Sequence, residues 1–225
     1  MNDFAGFNPQ KDWMREEVME VIRSSSSLMW NSATGKLLVH WAGLAGKEGQ
    51  ELAFLIARNF LTMKSKCICI DHDVRALADC RNAFVEAAKK GLCEWRGEDA
   101  LVFARNIISG DLKEGDEHLR RIGVFVYDSM SRLDSAESAL DTLIELGKVQ
   151  SERLGEFVLA FNFTDLHATK EIRDGYEEWL RSRLTSHGFQ PGQKLFERYD
   201  AKGGSGSMYF TILTFGFEDN RMFSV

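Results

Sequence analysis

Short apolar runs and longer amphipathic segments alternate along most of this chain, and their order predicts its architecture. Five apolar runs are typical of buried strands, and each is followed by a stretch whose apolar residues recur at helical spacing. Each strand–helix–strand unit requires a parallel crossover, so the pattern predicts an α/β domain with a mostly parallel sheet and helices on both faces. The strand segments are LLVHW, KCICID, LCEWRG, GVFVYD and EFVLAFNF, and the helical segments are residues 50–61, 74–90, 99–108, 135–150 and 167–186.

The first part of the chain carries a helical pattern of its own. Apolar residues recur at helical spacing from Met14 to Ile22, so we expect a helix that begins at Asn8 or Asp12. The run SSSS that follows is expected to end it. The sequence therefore predicts a helical flank or lid over residues 1–30, followed by the α/β domain over residues 31–225.

The end of the chain breaks the alternation. The strand patterns QKLFERYD and SMYFTILTFGF are joined only by AKGGSG, which leaves no room for a helix. A connection this short and rich in glycine makes an antiparallel hairpin. Added to the five alternating units, the hairpin brings the predicted sheet to seven strands.

The composition is that of an ordinary globular protein. The chain has 225 residues, of which 44% are hydrophobic and 28% charged, and this suits one domain with a substantial core. A net charge of -6 argues against broad binding to nucleic acid or anionic membranes, although it leaves room for a local basic face. We find no apolar run long enough to span a bilayer and no secretion signal. We therefore expect a cytoplasmic protein with no membrane partner.

Four cysteines are present, Cys67, Cys69, Cys80 and Cys93, and none of them forms a CxxC motif. Two of them fall in a predicted buried strand, where ligands for a metal ion would not converge at a suitable spacing. We therefore expect reduced structural thiols and no metal site.

The segment LLVHWAGLAGKEGQELAFLIA, residues 37–57, has the strand, small-residue loop and helix of a nucleotide-binding loop. A Walker A loop is rejected because Trp41 and Glu48 stand where its motif needs glycine and a hydroxyl residue. A dinucleotide-binding loop fits poorly because Leu44 stands where the first glycine makes the tight turn. A site for S-adenosylmethionine uses the same crossover without a pyrophosphate to hold, so it tolerates a looser glycine pattern.

Over residues 30–217, the order of elements resembles the class I S-adenosylmethionine-dependent methyltransferases, whose sheet also ends in an antiparallel hairpin. CICIDHDVRALADCRNAF is similar to that family's second strand and helix, with Asp71 at the strand end. CEWRGEDALVFA is similar to its third segment, whose acid meets the adenine and is matched by Asp99 or by Glu98. GVFVYDSMS is similar to its fourth, with Asp128 at the strand end. The resemblance implies a Rossmann-like fold and methyl-transfer activity.

The resemblance also implies a site for S-adenosylmethionine at the carboxyl ends of the first strands. Asp71 would accept hydrogen bonds from the ribose hydroxyls, whereas Asp73 is better placed to cap the next helix. For Asp99, the alternative is a first-turn acid favoured by the helix dipole. The expected cofactor-binding residues are Gly43, Ala45, Gly46, Gly49, Asp71, His72, Glu98, Asp99 and Asp128.

Methyl transfer requires the protein to hold the acceptor in line with the donor and in some cases to remove its proton. Asp128 is the first candidate for that base or orienting role, with helix capping as its alternative, and His167 is the second. The acceptor is expected to be a small molecule or RNA, because DSMS is not the motif of amino-group DNA methyltransferases and no Pro-Cys nucleophile is present. A basic C-terminal third would suit RNA, although a solvated helix face is the commoner explanation.

Two other functions stay open at this point. The first is an NAD(P)-binding oxidoreductase, which the terminal hairpin disfavours. The second is a non-catalytic member of the fold that binds S-adenosylmethionine or regulates a partner, which the irregular loop AGLAGKEG keeps open. A homodimer or a complex with a protein partner is compatible with each of these functions.

Overall fold

A computed structural model describes residues 9–25, 27–45, 48–132, 136–164, 170–188, 197–200, 207–216 and 222–223. A 3₁₀ helix, Glu117–Arg121, precedes the sixth strand. The α-helices are α1 (Pro9–Ser25), α2 (Gln50–Ala57), α3 (Val74–Ala83), α4 (Val85–Lys89), α5 (Ala100–Ser109), α6 (Ala136–Leu154) and α7 (Lys170–Ser186). The strands are β1 (Trp30–Asn31), β2 (Lys36–Leu37), β3 (His40–Leu44), β4 (Cys67–Ile70), β5 (Cys93–Arg96), β6 (Ile122–Arg132), β7 (Phe157–Thr164), β8 (Glu197–Asp200), β9 (Ser207–Phe215) and β10 (Met222–Phe223).

The central sheet has the strand order β10-β9-β7-β6-β3-β4-β5, and β8 also pairs with β9. Strands β3 to β7 are parallel to their neighbours within this group, whereas β9 runs antiparallel to β7 and to β8. The predicted α/β architecture, a mostly parallel sheet closed by antiparallel strands, is therefore confirmed.

The predicted count of seven strands is wrong, because the described part of the chain places eight strands in this sheet. The additional strand is β10, which pairs with Ile212 and Leu213 of β9. It has only two residues, Met222 and Phe223, so it shows no alternation that a sequence pattern could reveal.

Helices cover both faces of the sheet, as expected. Side chains alternate along each strand, so Trp41 and Val124 face the layer formed by α1 to α4, whereas Ala42 and Phe125 face α5 to α7. The two apolar layers bury most of the large side chains of the domain. In the described segments, we find no helix that is both long and apolar enough to cross a membrane.

Helix α1 is part of the packed domain. It begins at Pro9 and ends at Ser25, within the serine run, as the sequence predicts. Its apolar stripe, including Val18 and Ile22, is buried against the sheet. Trp13 makes an edge-to-face contact with Phe210 of β9, with 6.0 Å between the ring centroids. The helix therefore lies over the sheet near β9.

Two predicted helices are shorter than their patterns. The helix expected over residues 50–61 ends at Ala57, and Asn59 takes a left-handed backbone conformation with φ of 57°. The helix expected over residues 74–90 is divided at Phe84, whose φ of -116° is not helical. Both breaks depend on a non-helical backbone conformation at one residue, which apolar periodicity does not reveal.

Candidate cofactor and acceptor site

Strands β3, β4 and β5 end at the same level, and β6 passes through this level at residue 128 before it continues to Arg132. The expectation that Asp128 ends its strand is therefore wrong, but the residue still lies in one row with Ala45 and Asp71. The registers align Leu44 with Ile70 and Ile70 with Arg96. Strand β6 is aligned with β3, so its residue 128 lies level with residue 45. With strands about 4.8 Å apart, the row spans about 14 Å. Its members are Ala45, Asp71, Gly97 and Asp128.

The row crosses the place where the sheet changes direction. Strands β4 and β5 follow β3 on one side, and β6 and β7 lie on the other. In open α/β sheets, the crevice outside the carboxyl ends of the strands at such a switch point is where ligands bind. The four residues of the row therefore border that crevice.

Asp71 is fixed at the end of β4. Its backbone N–H donates to the carbonyl of Arg96 at 3.0 Å, and its Oδ1 accepts the backbone N–H of Asp73 at 2.9 Å. Asp73 caps α3 by accepting the backbone N–H groups of Arg75 and Ala76. The expectation that Asp73 caps this helix is confirmed. The neighbouring His72 is exposed, with Nδ1 3.8 Å from Asp71 Oδ1.

Asp99 is the N-cap of α5. Its Oδ1 accepts the backbone N–H groups of Leu101 at 2.9 Å and Val102 at 3.1 Å. The helix-terminal role considered for this residue is therefore present, and it holds the carboxylate at the edge next to Gly97. Glu98, the alternative acid, accepts a hydrogen bond from Asn106 Nδ2 at 3.2 Å.

Gly49 is required by packing at the start of α2. Its φ of 56° is left-handed, and its N–H donates to the carbonyl of Ala45 at 3.1 Å. A Cβ atom at this position would lie 2.6 Å from Cys80 Sγ and 2.7 Å from the Phe84 ring. All four cysteines are free and buried, and the Cys80 thiol also interacts with the thiol of Cys69. Burial raises the pKa of the Cys93 thiol to about 12.

A buried carboxylate lies behind the loop, on Glu51 of α2. Its Oε1 accepts from Arg15 Nε at 2.6 Å, and its Oε2 accepts from Trp41 Nε1 at 3.0 Å. A Cβ atom on Gly43 would lie 3.2 Å from Glu51 Cγ, so the glycine lets the acidic side chain pass close to β3. Gly43 therefore has a packing role in addition to any contact with a ligand.

Arg15 extends from α1 into this region and is itself buried. Its Nη1 lies 3.0 Å from Asp12 Oδ1, in addition to the ion pair with Glu51. Burial alone would lower the pKa of the Arg15 guanidinium, but Glu51, together with Asp128 and Asp12, raises it above its ordinary value. One guanidinium is therefore surrounded by three carboxylates.

A pocket opens between α1 and the carboxyl ends of β6 and β7. Asp128 lies opposite Asn162 in the sheet, and its Oδ1 accepts from Asn162 Nδ2 at 2.7 Å. The pocket joins these polar groups to an apolar wall. It is lined by Met14, Arg15, Val18, Glu51, Val126, Tyr127, Asp128, Phe161, Asn162 and Phe210.

Two expected site residues, Gly46 and His167, lie outside the described residues. Where the structure does describe the chain, no group of three or more His, Cys, Asp or Glu side chains is arranged to hold a metal ion.

No protein-family model matches the chain, and no curated protein matches it. Solved structures do resemble this chain in fold. One is WbdD, a bifunctional kinase-methyltransferase, with 13% identity and a TM-score of 0.51 over 92% of this chain and 41% of WbdD. Another is magnesium protoporphyrin IX methyltransferase, ChlM, from Synechocystis PCC 6803, with S-adenosylhomocysteine bound; here identity is 10% and the TM-score 0.50, over 89% of this chain and 81% of ChlM. The fold is that of the class I S-adenosylmethionine-dependent methyltransferases. This chain spans less than half of WbdD.

Within this fold, Arg15 and Glu51 are residues of the site that the sequence pattern does not reveal. Each lies in a helix whose apolar positions dominate the pattern, so each is easily assigned to a solvated face. The sequence does contain a signal for Glu51: it is the one acid in the mostly apolar segment QELAFLIA, and it follows Trp41 of the first predicted strand by ten residues. Buried charges are rare unless paired, so such an acid requires a cationic partner.

Proposed function

We propose that the protein is an S-adenosylmethionine-dependent methyltransferase that acts on a small molecule or an RNA. The observation that carries this proposal is the level row at the switch point, where Asp71 follows the end of β4 and Asp128 lies at the same level in β6, on either side of β3. A donor bound along this edge would have the Asp71 carboxylate near its ribose and the Asp128 carboxylate near its sulfonium. The methyltransferase fold supports the same placement.

The adenosine half of the donor would lie at the ends of β4 and β5. Asp71 would accept hydrogen bonds from the ribose hydroxyls, and Asp99 or Glu98 would accept from the adenine amino group. Val74 and Val102 are exposed apolar side chains in the first turns of α3 and α5, three residues after Asp71 and Asp99 respectively. Exposed valines at this edge suit the faces of a flat ring, because a ligand would remove their surface from water.

The amino-acid half of the donor would lie against the loop after β3. Gly43, Ala45, Gly46 and Gly49 would let the donor approach the backbone, and His72 would border the ribose from the exposed side. The loop also meets the amino end of α2, where backbone N–H groups favour a carboxylate.

The acceptor would enter the pocket between α1 and β7. Asp128 would orient the acceptor or take its proton, with His167 as the second candidate. The side chains of Met14, Arg15 and Val18 line this pocket. We therefore propose that α1, within the helical flank over residues 1–30, forms one wall of the acceptor site.

The direct test is donor binding. We expect S-adenosylhomocysteine to bind with a micromolar dissociation constant, about -8 kcal/mol, in isothermal titration calorimetry of the whole chain. NAD serves as the comparison ligand, since it shares the adenosine half but carries a pyrophosphate. Binding of NAD without binding of S-adenosylhomocysteine would overturn the proposal in favour of a dinucleotide site.

Asp71→Ala is expected to weaken S-adenosylhomocysteine binding by about 1.5–3 kcal/mol, because hydrogen bonds to a charged carboxylate contribute in that range. The fold should persist, since the residue lies at a strand end. Asp73→Ala is the matched control: it removes a helix cap, so it should lower stability by about 1 kcal/mol while leaving the calorimetric affinity unchanged. Equal affinities for Asp71→Ala and the wild type would show that this carboxylate does not contact the donor.

A further inference from the structure

A buried histidine lies at the amino ends of the parallel strands, at the opposite end of the sheet from the row of Asp71 and Asp128. His40 begins β3 and is only 3% exposed. Its Nδ1 accepts the backbone N–H of Lys66 at 2.9 Å, so the neutral ring carries its hydrogen on Nε2. The described residues leave Nε2 without a hydrogen-bond partner but not sealed from solvent. A largely buried N–H group without a partner is costly unless a water molecule or an ion accepts its hydrogen.

Three basic side chains approach this histidine. Lys66 is adjacent through its backbone hydrogen bond to the ring. Arg121 donates from Nη2 to the carbonyl of Leu38, two residues before His40, at 2.9 Å. The ring of His118 meets the His40 ring edge to face, with 5.8 Å between the centroids. Burial lowers the pKa of His40 to about 4, and the positive charges of these three neighbours contribute to the shift, so the ring is neutral at neutral pH.

The charge of His118 is balanced within a network of ion pairs. Its Nε2 lies 2.7 Å from Glu94 Oε2, and its Nδ1 lies 3.1 Å from the carbonyl oxygen of Gly115. Both neighbours are acceptors, so the arrangement suits the charged ring, in which both nitrogens donate. Glu94 also pairs with Arg96, which binds both carboxylate oxygens of Asp116. Two cations and two carboxylates therefore compensate one another in this network.

The other two cations are not balanced in this way. Throughout the described part of the chain, neither Lys66 nor Arg121 forms an ion pair with a carboxylate. Lys66 is half-buried and Arg121 is exposed, so both reach solvent beside His40. The hydrogen bond to Leu38 orients the Arg121 guanidinium and leaves its other N–H groups available. Two positive charges and the Nε2–H donor therefore lie together at the start of β3.

We infer that His40, Lys66 and Arg121 form a binding site for a phosphate monoester group, which we call the amino-edge anion site. Such a group carries about -1.5 to -2 charges at neutral pH, which the two cations match. A guanidinium binds phosphate oxygens through paired N–H donors, and a lysine adds a point charge. The Nε2–H of His40 supplies a fixed donor, because burial and the hydrogen bond at Nδ1 hold the ring.

The amino-edge anion site is separate from the proposed reaction site. His40 begins β3 and Ala45 follows its end, so five residue steps of about 3.3 Å place the two about 17 Å apart. A phosphate bound at this distance does not contact the reacting atoms, but it holds a larger ligand against this end of the sheet. Two sources share the chemistry: the 5′ end of an RNA and a phosphorylated small molecule. The inference does not depend on donor binding.

The probe is inorganic phosphate, titrated into the whole chain at about pH 7.5, where most of it is dianionic. NMR of the histidine rings reports the site, because His40 would donate to the ligand through Nε2. We expect a saturable shift of the His40 ring signals and phosphate binding about tenfold tighter than acetate, which carries a single charge. No saturable shift at His40, or equal affinities for phosphate and acetate, would overturn the inference and leave water as the partner of Nε2.

Substitution of single cations locates the site. Lys66→Gln and Arg121→Gln each remove one of the two charges and should each weaken phosphate binding about tenfold. Lys64→Gln is the matched control, because this exposed lysine lies two residues before Lys66 and does not act on the His40 ring. None of the three side chains is in the core, so the fold should persist. Equal losses of affinity in all three variants would indicate a diffuse charge effect and contradict the assignment.

The source of the phosphate is identified with three further ligands: a short oligouridylate with a 5′-phosphate, the same oligomer with a 5′-hydroxyl, and uridine 5′-monophosphate. Tightest binding of the phosphorylated oligomer would identify the end of an RNA. If the monophosphate binds at least as tightly as either oligomer, the source is a small molecule. If the two oligomers bind equally and both more tightly than the monophosphate, phosphodiesters are the ligand and the monoester site is refuted.

Discussion

Asp128→Asn is expected to lower methyl-transfer turnover by about 10²–10⁴-fold, the range for loss of a general base, while donor affinity stays nearly unchanged. Asp128 lines the pocket between α1 and the strands β6 and β7, whereas Asp71 and the loop after β3 lie on the proposed donor side. Asparagine keeps an oxygen that can accept the hydrogen bond from Asn162 Nδ2. The variant therefore removes a charge and a base with little change in packing.

The measurement begins with a methyl-transfer screen of small-molecule, RNA, DNA and protein pools using the wild-type chain. The variant is then compared on the best acceptor, with calorimetry of S-adenosylhomocysteine as the control for donor binding. Wild-type turnover in the Asp128→Asn chain would remove this residue from the mechanism and transfer the role of base to His167. A chain that methylates nothing in the screen and binds no donor would instead support a non-catalytic role.

Glu51→Gln is expected to lower the free energy of unfolding by about 3–5 kcal/mol, the range for removing one partner of a buried ion pair. The side chains of Glu51 and Arg15 are each only 5% exposed, so the remaining guanidinium would keep a charge with little access to water. The glutamine can still accept the hydrogen bond from Trp41 Nε1, so the loss reports the charge. Urea unfolding monitored by circular dichroism measures this change in the free energy of unfolding.

A double variant isolates the ion pair. Arg15→Met combined with Glu51→Gln removes both charges, keeps the acceptor for Trp41, and should recover most of the stability that Glu51→Gln loses, because no unpaired buried charge remains. Glu86→Gln, at an exposed pair, should stay close to wild type. A Glu51→Gln chain as stable as wild type would mean that water reaches the guanidinium.

Apolar periodicity was sufficient to predict strands β3, β4, β6 and β7, because each is largely buried on both faces and carries a near-continuous apolar run. It also predicted the terminal hairpin, since a glycine-rich link of six residues leaves no alternative. Helix ends were less predictable: α2 stops where Asn59 adopts a positive φ, and the helix after β4 divides at Phe84. These boundaries depend on tertiary packing that single-sequence patterns do not contain.

The candidate site was predictable only in part. The acids at strand ends follow from the sequence, because residues after parallel strands share one edge of the sheet. The partnership of Arg15 with Glu51 does not, since it joins residues 36 positions apart whose proximity depends on how α1 crosses the sheet. Likewise, Gly49 reads as a ligand-binding glycine in sequence, but its contact with Cys80 and Phe84 reveals a packing requirement.

The placement of β9 has a consequence for biosynthesis. Strand β9 pairs along the whole of β7, yet Ser207 follows Thr164 by 43 residues. At about 5–20 residues per second, a ribosome needs about 2–9 s to deliver the start of β9 after completing β7. During that interval, the nascent chain presents the unpaired edge of β7, a template for pairing with other chains. Productive folding in the cell therefore depends on keeping that edge covered until the last strands emerge.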